Sequence, residues 1–196
     1  MISKSIKVTF VGASNSGKTS ICNRLIYGNY GNPTQATVGV SFLKYYYNDI
    51  SYDLWDTAGQ ERYIALTPMY FRNSHIVLFV FDVDYFASIN AIDKYITMLE
   101  NLLHSYKIIV IGNKIDLTVE KDSTEIEDLA REKFRRLSIG NNVDSFIFVS
   151  AKTGDGFDQL KDRLDRCAFD IKQYINNLDK GVNLNDGEDT RQCICL

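Results

Sequence analysis

The stretch "IKVTFVGASNSGKTS", residues 6–20, decides the fold. Its first six residues, Ile6–Val11, are mostly apolar and predict a β-strand, while Lys18–Tyr27 predicts the α-helix that follows. Between the two, residues 12–19 ("GASNSGKT") match the pattern G-x-x-x-x-G-K-[ST] of a phosphate-binding loop, in the strand–loop–helix setting that such a loop requires. The sequence therefore predicts an α/β protein with a phosphate site at the end of its first strand.

The residue types of this loop suit a nucleotide with two or three phosphates. Its glycines allow backbone N–H groups to turn inward around a diphosphate, and the helix N-terminus adds a favourable dipole. Lys18 can place its charge on the β and γ phosphates, and the Thr19 hydroxyl can ligate Mg²⁺. The loop alone does not choose between ATP and GTP, or between a kinase, an ATPase and a switch. The predicted phosphate-binding residues are Ser14, Asn15, Ser16, Gly17, Lys18, Thr19 and Ser20.

Apolar and amphipathic segments alternate along the rest of the chain. Further strands are predicted at Val40–Tyr47, 50–55, Ile76–Asp82, 107–112 and 146–149, and further helices at 88–104, 125–137 and 157–174. The turn Asn48-Asp49 joins two of these strands into a hairpin. The alternation predicts a six-stranded, mostly parallel sheet with one antiparallel edge strand and helices on both faces.

One domain is expected at residues 1–175, followed by a C-terminal tail at 176–196. Hydrophobic residues make up 45% of the chain, which is enough for a sizeable core. The tail is polar and rich in Gly, Asn and Asp, so we expect it to be disordered. The start "MISKSIKVTF" has no apolar signal region, and the longest apolar run, residues 76–81, is too short to span a bilayer. We therefore expect a soluble monomer as translated, with any membrane contact added later.

Charge and cysteine content exclude further classes. The formal net charge of -3 argues against electrostatic binding to nucleic acid, for which a basic excess is usual. The four cysteines form neither a dense disulfide framework nor a zinc pattern, which favours a reducing compartment. They are Cys22, Cys167, Cys193 and Cys195.

Two later motifs indicate that the base is guanine. "IGNKID" places Asn113, Lys114 and Asp116 after a buried strand, at the strand end where open α/β sheets bind ligands. The Asp116 carboxylate can accept hydrogen bonds from the ring N–H and the exocyclic amine of guanine, whereas adenine offers no matching pair of donors. "VSAK" follows the next strand, where the Ala151 N–H can meet the guanine oxygen. The predicted base-end residues are Asn113, Lys114, Asp116, Ser150, Ala151 and Lys152.

With these motifs in this order, the chain resembles a Ras-superfamily small GTPase, and most of all the Rab family. The resemblance covers residues 5 to about 175 and the terminal cysteines. "ATVGVSF" at 36–42 resembles the Rab switch I, and "LWDTAGQERY" at 54–63 resembles the Rab switch II. "YFRNSHIVLFVFDV" at 70–83 also follows the Rab pattern. The expected fold is accordingly the P-loop GTPase domain, or G domain.

The resemblance implies roles for residues that spacing alone does not single out. Thr37 and Gly59 would contact the γ phosphate through their N–H groups. Two residues would act in catalysis: Gln60 by orienting the attacking water, and Lys18 by its charge on the β and γ phosphates. Tyr30 would lie beside the guanine. Loss of the γ phosphate would let both switch loops relax. The implied Mg²⁺ ligands are Thr19, Thr37 and Asp56.

The switch regions also lead to expectations about the rate of GTP hydrolysis and about the surface that partners contact. No arginine lies in residues 30–42, so we expect slow hydrolysis that an activating protein accelerates. Thr34 and Ser41 depart from the usual Rab residues, and the hairpin is shorter than in typical Rabs. These departures lie on the surface that partners contact. The residues that match an aromatic cluster contacted by effectors, with plain packing as the alternative, are Phe42, Trp55 and Tyr70.

The last four residues, "CICL", match a C-a-a-X box. The resemblance implies prenylation of Cys193, with the final leucine favouring geranylgeranyl, and Cys195 is a candidate for a second chain. The tail has no polybasic patch, so we expect either two lipid chains or weak, easily extracted membrane binding.

Together these features imply a Rab-like switch that uses GTP, GDP and Mg²⁺ and regulates vesicle and protein transport. Its implied partners are effectors, an exchange factor, a GTPase-activating protein, a prenyl transferase with its escort, and a GDP-dissociation inhibitor. Its implied location is the cytoplasmic face of an intracellular membrane, cycling with the cytosol. The alternatives are a Ras- or Rho-like signalling GTPase, a slow or non-hydrolysing GTP-binding scaffold, and a nucleotide kinase, for which we find no Arg-rich lid.

Overall fold

A single twisted sheet forms the centre of the protein. The computed structural model describes residues 5–31, 37–59, 67–101, 106–118 and 123–179. Within these residues the sheet has six strands in the order β2-β3-β1-β4-β5-β6. The strands are β1 (Ile6–Val11), β2 (Val40–Tyr47), β3 (Ile50–Thr57), β4 (Ile76–Asp82), β5 (Lys107–Asn113) and β6 (Val143–Val149). All neighbours are parallel except β2 and β3, so the predicted antiparallel edge strand is confirmed.

Helices cover both faces of this sheet. They are α1 (Lys18–Tyr27), α2 (Thr67–Phe71), α3 (Ile96–Glu100), α4 (Ser123–Arg135) and α5 (Phe157–Asp179), with 3₁₀ segments at Phe86–Lys94, Ile115–Leu117 and Ser138–Asn142. Apolar side chains of α1 and α5 pack in one core layer, and those of α2, α3 and α4 pack in the other. Every residue of β4 is buried, which explains its unbroken apolar sequence.

Some element boundaries differ from the sequence-based prediction. The single helix predicted at 88–104 is instead a 3₁₀ segment, Phe86–Lys94, followed by the short α3, and residues 102–105 lie outside the described chain. The start of the 3₁₀ segment is held to the end of β4, because the Asp82 N–H donates to the Ser88 hydroxyl (2.8 Å). This tertiary contact outweighs the helical preference of the local sequence. α5 continues to Asp179, beyond the predicted end at 174.

The predicted hairpin turn is confirmed, and it is connected to α5. Asn48 and Asp49 have φ values of 45° and 60°, the left-handed pair that a tight two-residue hairpin needs. The Asn48 side-chain amide donates to Asp165 (3.0 Å), and the Tyr52 hydroxyl lies 3.3 Å from the same carboxylate. The edge of the sheet is therefore fixed against the last helix.

The sheet brings the predicted motifs to one edge. β1, β3, β4, β5 and β6 run parallel, so their carboxyl ends lie on the same side. The phosphate loop follows β1, Lys114 and Asp116 follow β5, and residues 150–152 follow β6, whereas Thr37 precedes β2 and Asp56 lies within β3. In the described part of the chain, no helix combines the length and the apolar character that crossing a membrane requires.

Candidate functional site

The phosphate-binding motif forms a tight loop between β1 and α1. Gly12 (φ 138°) and Gly17 (φ 91°) adopt backbone conformations that side chains disfavour. A Cβ atom on Gly12 would collide with the Val80 carbonyl oxygen, and one on Gly17 would collide with the Asn113 amide. Glycine is thus required at both places by its neighbours as well as by its backbone. Ser14 and Asn15 at the tip are exposed.

Lys18 is buried inside this loop. Its ammonium group donates to the carbonyl oxygens of Gly12 (3.1 Å) and Ala13 (2.7 Å). Burial lowers the pKa of Lys18 to about 8, and the nearby Asp56 carboxylate partly opposes that shift. A Cβ atom on Gly59 would lie 2.5 Å from Lys18 Nζ and 2.7 Å from the Ala13 carbonyl. The chain after β3 therefore lies directly against the phosphate loop, and only glycine permits that approach.

Three oxygen-bearing side chains from three separate segments meet beside Lys18. The Thr19 hydroxyl donates to Asp56 Oδ2 (2.6 Å) and lies 2.8 Å from the Thr37 hydroxyl, which is 3.4 Å from the same carboxylate oxygen. We call Thr19, Thr37 and Asp56 the oxygen triad. Asp56 lies within β3 rather than after it, and it is only 1% exposed.

The oxygen triad fits a hard divalent cation such as Mg²⁺. Burial raises the pKa of Asp56, and among the described residues its buried Oδ1 has no hydrogen-bond partner. A cation would satisfy that oxygen, because Mg²⁺ prefers oxygen ligands. The described residues contain no group of three or more His, Cys, Asp and Glu side chains that could hold a metal ion. Mg²⁺ does not need one, since one or two carboxylates with substrate phosphates and water usually suffice.

The amide of Asn113 connects the phosphate loop to the loop after β6. Asn113 is buried at the end of β5, and its Nδ2 donates to the Ser16 carbonyl (2.9 Å). Its Oδ1 accepts a hydrogen bond from the Ala151 N–H (3.1 Å). Its backbone carbonyl accepts from the Val83 N–H (3.0 Å). One residue therefore fixes the relative positions of three loops.

The other base-end residues lie around this amide. Ser150 donates from its hydroxyl to Asp116 Oδ1 (2.6 Å), and Lys152 Nζ lies 3.7 Å from Asp116 Oδ2. Lys114 has a left-handed backbone (φ 72°), and its ammonium group pairs with Asp82 at 2.7 Å. The structure thus brings Asn113, Asp116 and the 150–152 segment together as the motifs predicted. It also adds Asp82, which no motif had indicated.

The three aromatic residues predicted to form one cluster do lie together. The ring centroids of Phe42 and Trp55 are 5.4 Å apart, and those of Trp55 and Tyr70 are 6.4 Å apart. Phe42 is 48% exposed, whereas Tyr70 is only 6% exposed. Packing therefore accounts for Tyr70, and Phe42 provides the open part of this surface.

Two cationic side chains that bind other segments of this region were not predicted from the sequence. Lys7 Nζ lies 4.3 Å from the centroid of the Trp55 ring and donates to the Arg72 carbonyl (2.6 Å). Arg24, in the last turn of α1, donates to the backbone carbonyls of the loop after β6. Neither contact has a signal in a single sequence, because each joins residues that are far apart along the chain.

The structure describes only some of the remaining predicted site residues. Tyr30 follows α1 and is 49% exposed. Ser20 lies on α1 and is partly buried. Thr34, Gln60, Cys193 and Cys195 lie outside the described residues.

Comparison with known proteins agrees with this geometry. The family model described as "Ras family" matches residues 7–168. The GTP-binding protein YPT52 of Saccharomyces cerevisiae is 30% identical over an alignment 194 residues long; the alignment covers 85% of this chain and 83% of the yeast protein. The GTP-binding protein YPT53 of the same yeast is 35% identical over 160 residues, which cover 79% and 72%. The chain belongs to the Ras family: it is a Ras-superfamily small GTPase of Rab-like type.

Replacing Asn113 with alanine tests how far the site depends on this amide. Asn113→Ala leaves the Ser16 carbonyl and the Ala151 N–H without their partner, so we expect the free energy of unfolding to fall by about 2–4 kcal/mol. Urea unfolding of both proteins in one buffer, followed by the fluorescence of Trp55, measures the difference.

The matched control is Asn101→Ala. The Asn101 amide also donates to a backbone carbonyl, that of Thr97 (2.7 Å), but at an exposed position. We expect this change to stay within about 0.5 kcal/mol of the wild type. Equal losses in the two variants would contradict the special position of Asn113.

Proposed function

We propose that this protein is a switch that binds GTP and GDP with Mg²⁺ and hydrolyses GTP to GDP and phosphate. The observation that carries the proposal is the oxygen triad. Its members come from α1, from the segment before β2 and from β3, and they meet beside the buried ammonium of Lys18. Membership of the Ras family supports the same activity and gives no support to the nucleotide-kinase alternative.

The phosphate loop would hold the phosphates. Its backbone N–H groups and the N-terminus of α1 would bind the anionic oxygens, and Lys18 would exchange its bonds to Gly12 and Ala13 for a phosphate. Mg²⁺ held by the oxygen triad would supply further positive charge for the phosphate oxygens. The residues assigned to the phosphates are Ser14, Asn15, Ser16, Gly17, Lys18, Thr19 and Ser20.

The loops after β5 and β6 would hold guanine. Asp116 would accept hydrogen bonds from the ring N–H and the exocyclic amine, with Ser150 and Lys152 orienting its carboxylate. The Ala151 N–H would donate to the guanine oxygen, sharing or exchanging its present bond to Asn113. Lys114 would lie along the base, with Asp82 fixing its ammonium group, and Tyr30 would lie beside the base.

The two switch segments would respond together to the γ phosphate. The Ala58 N–H donates to the Gly39 carbonyl (2.8 Å), so the segment that carries Thr37 is bonded directly to the segment that leads to Gly59. If Thr37 and Gly59 both contact the γ phosphate, its loss removes a partner from both segments at once. Gln60, next to Gly59, would orient the attacking water.

A single-turnover assay with Gln60→Leu tests the hydrolytic role. We expect the wild type to hydrolyse bound GTP slowly, well below about one turnover per second without an activating protein. Gln60→Leu removes the group that orients the water, so we expect a rate at least about ten times lower. Phosphate release from preloaded GTP is the measurement.

Gln159→Leu is the matched control, because Gln159 is exposed on α5 and is not among the residues assigned to the nucleotide. It should hydrolyse GTP at the wild-type rate. Equal rates for wild type and Gln60→Leu would favour a non-hydrolysing scaffold. Turnover at many per second by the protein alone would contradict the expected need for an activating protein.

We also propose a Rab-type place in vesicle transport. Effectors would bind Phe42 and the accessible part of Trp55 in the GTP state, and an exchange factor and an activating protein would drive the cycle. The exposure of Phe42 supports this surface, and the Rab-like character of the chain supports the role. A prenyl transferase with its escort and a GDP-dissociation inhibitor would handle the lipid.

Cys193 and Cys195 would carry the geranylgeranyl anchor. We expect the wild type to mark an intracellular membrane of a eukaryotic cell, on its cytoplasmic face, and the variant Cys193→Ser/Cys195→Ser to be diffuse. Fluorescence imaging measures location, and the mass of the purified protein counts the lipids. Gln192→Ser, an adjacent change that keeps both thiols, should locate like the wild type. A diffuse wild type without isoprenoid would refute the anchor.

A further inference from the structure

Arg24 holds three consecutive carbonyl groups of the loop after β6. Its Nη1 donates to the carbonyl oxygens of Ala151 (2.8 Å) and Lys152 (3.0 Å), and its Nη2 donates to that of Thr153 (2.9 Å). These residues are separated from Arg24 by 127, 128 and 129 positions along the chain. We call residues 150–154 the base loop, since it contains the N–H group assigned to the guanine oxygen.

We infer that Arg24 is a positioning residue for guanine recognition: it fixes the base loop so that the Ala151 N–H faces the 6-oxygen of the base. The inference rests on the proposed function, because it assumes that the base loop contacts guanine. Arg24 itself would touch neither the base nor the phosphates. It acts through the peptide groups that it binds.

The surroundings of Arg24 match a guanidinium group in shape. Gly154 has φ +100°, a backbone conformation that favours glycine, and a Cβ atom there would lie 2.4 Å from Arg24 Nη2, so a side chain would displace the fork. On another side, Arg24 Cζ lies 5.6 Å from the centroid of the Phe157 ring, a cation–π distance. Carbonyls, glycine and ring together form a fitted site for one planar cation.

The chemistry of these contacts favours a geometric role. Among the described residues, no carboxylate pairs with Arg24 within 4.0 Å; its hydrogen-bond acceptors are neutral carbonyls. Several N–H groups in one plane can bind three carbonyls at once, whereas a single ammonium on a flexible stem cannot hold them in the same arrangement. We therefore expect Arg24 to act by fixing the conformation of the base loop.

The position of Arg24 also joins the two ends of the nucleotide site. α1 begins at Lys18, in the phosphate loop, and Arg24 lies in its last turn. From the other side, Asn113 Oδ1 binds the Ala151 N–H, and Asp116 binds the Ser150 hydroxyl. The base loop is thus held both by α1 and by the end of β5. Without Arg24, the bonds from α1 would be lost, and the contacts with Asn113 and Asp116 and the bonds within the loop would remain.

Nucleotide selectivity distinguishes this role from a general loss of stability. GDP offers a good acceptor at position 6, inosine diphosphate keeps that oxygen but lacks the 2-amine, and 6-thio-GDP carries a weak sulfur acceptor instead. For Arg24→Gln we expect GDP and inosine diphosphate to bind about ten times more weakly, the cost of roughly one hydrogen bond. Affinity for 6-thio-GDP should change at most about threefold, because that contact is already weak.

The measurement is equilibrium binding of the three nucleotides to the full chain with Mg²⁺. Arg24→Lys, which keeps the charge but not the planar fork, should show the same selective loss. Arg131→Gln is the matched control, since Arg131 also lies over a ring (Phe146, 4.7 Å) and binds Glu127, but on α4. It should bind all three nucleotides as the wild type does.

Two results would overturn the inference while leaving the proposed function intact. One is an equal loss of affinity for all three nucleotides in Arg24→Gln and Arg24→Lys, which would mean that Arg24 only stabilises the fold. The other is no loss at all in either variant. A wild type that fails to bind GDP would instead refute the proposed function, and the inference with it.

Discussion

The rest of the site depends on the hydrogen bonds that the buried side-chain amide of Asn113 makes. A buried amide must have its donors and acceptors paired, and this one binds the Ser16 carbonyl on one side and the Ala151 N–H on the other. The contact explains why residue 17 is glycine, since a side chain there would displace the amide. The loops after β1 and β6 both bind one residue at the end of β5, so the phosphate end and the base end are directly connected.

The opposite charges of Lys18 and Asp56 are buried beside these loops, and their attraction does not fully offset the cost of desolvation. Burial lowers the pKa of Lys18 and raises the pKa of Asp56, so desolvation works against the charged form of each. Among the described residues, Asp56 Oδ1 has no hydrogen-bond partner, which shows where compensation is missing. A buried charge in this position is costly unless it is paired or binds a metal. A bound phosphate and a bound cation would supply those partners, which ties the stability of this edge of the sheet to its ligands.

Much of the fold could be predicted from the sequence because strands buried on both faces give unbroken apolar runs. β1 and β4 were predicted with their exact bounds, and the phosphate loop needed glycine at recognisable spacing. The 3₁₀ segment Phe86–Lys94 was not predictable, since its repeat of three resembles that of an α-helix and its start depends on Ser88 meeting Asp82. Arg24, Asp82 and Lys7 were missed for a related reason: their contacts join distant parts of the chain and leave no local pattern. The roles of Gln60, Cys193 and Cys195 stay predictions.

The most direct test of the whole account is the affinity of the nucleotide-depleted protein for GDP and for ADP, both with Mg²⁺, measured by calorimetry. The account predicts that GDP binds at least about a thousand times more tightly than ADP, because adenine offers Asp116 no matching pair of donors and presents an amine donor, not an acceptor, to the Ala151 N–H. Similar affinities for the two nucleotides would contradict it, since the loops after β5 and β6 would then not recognise the base.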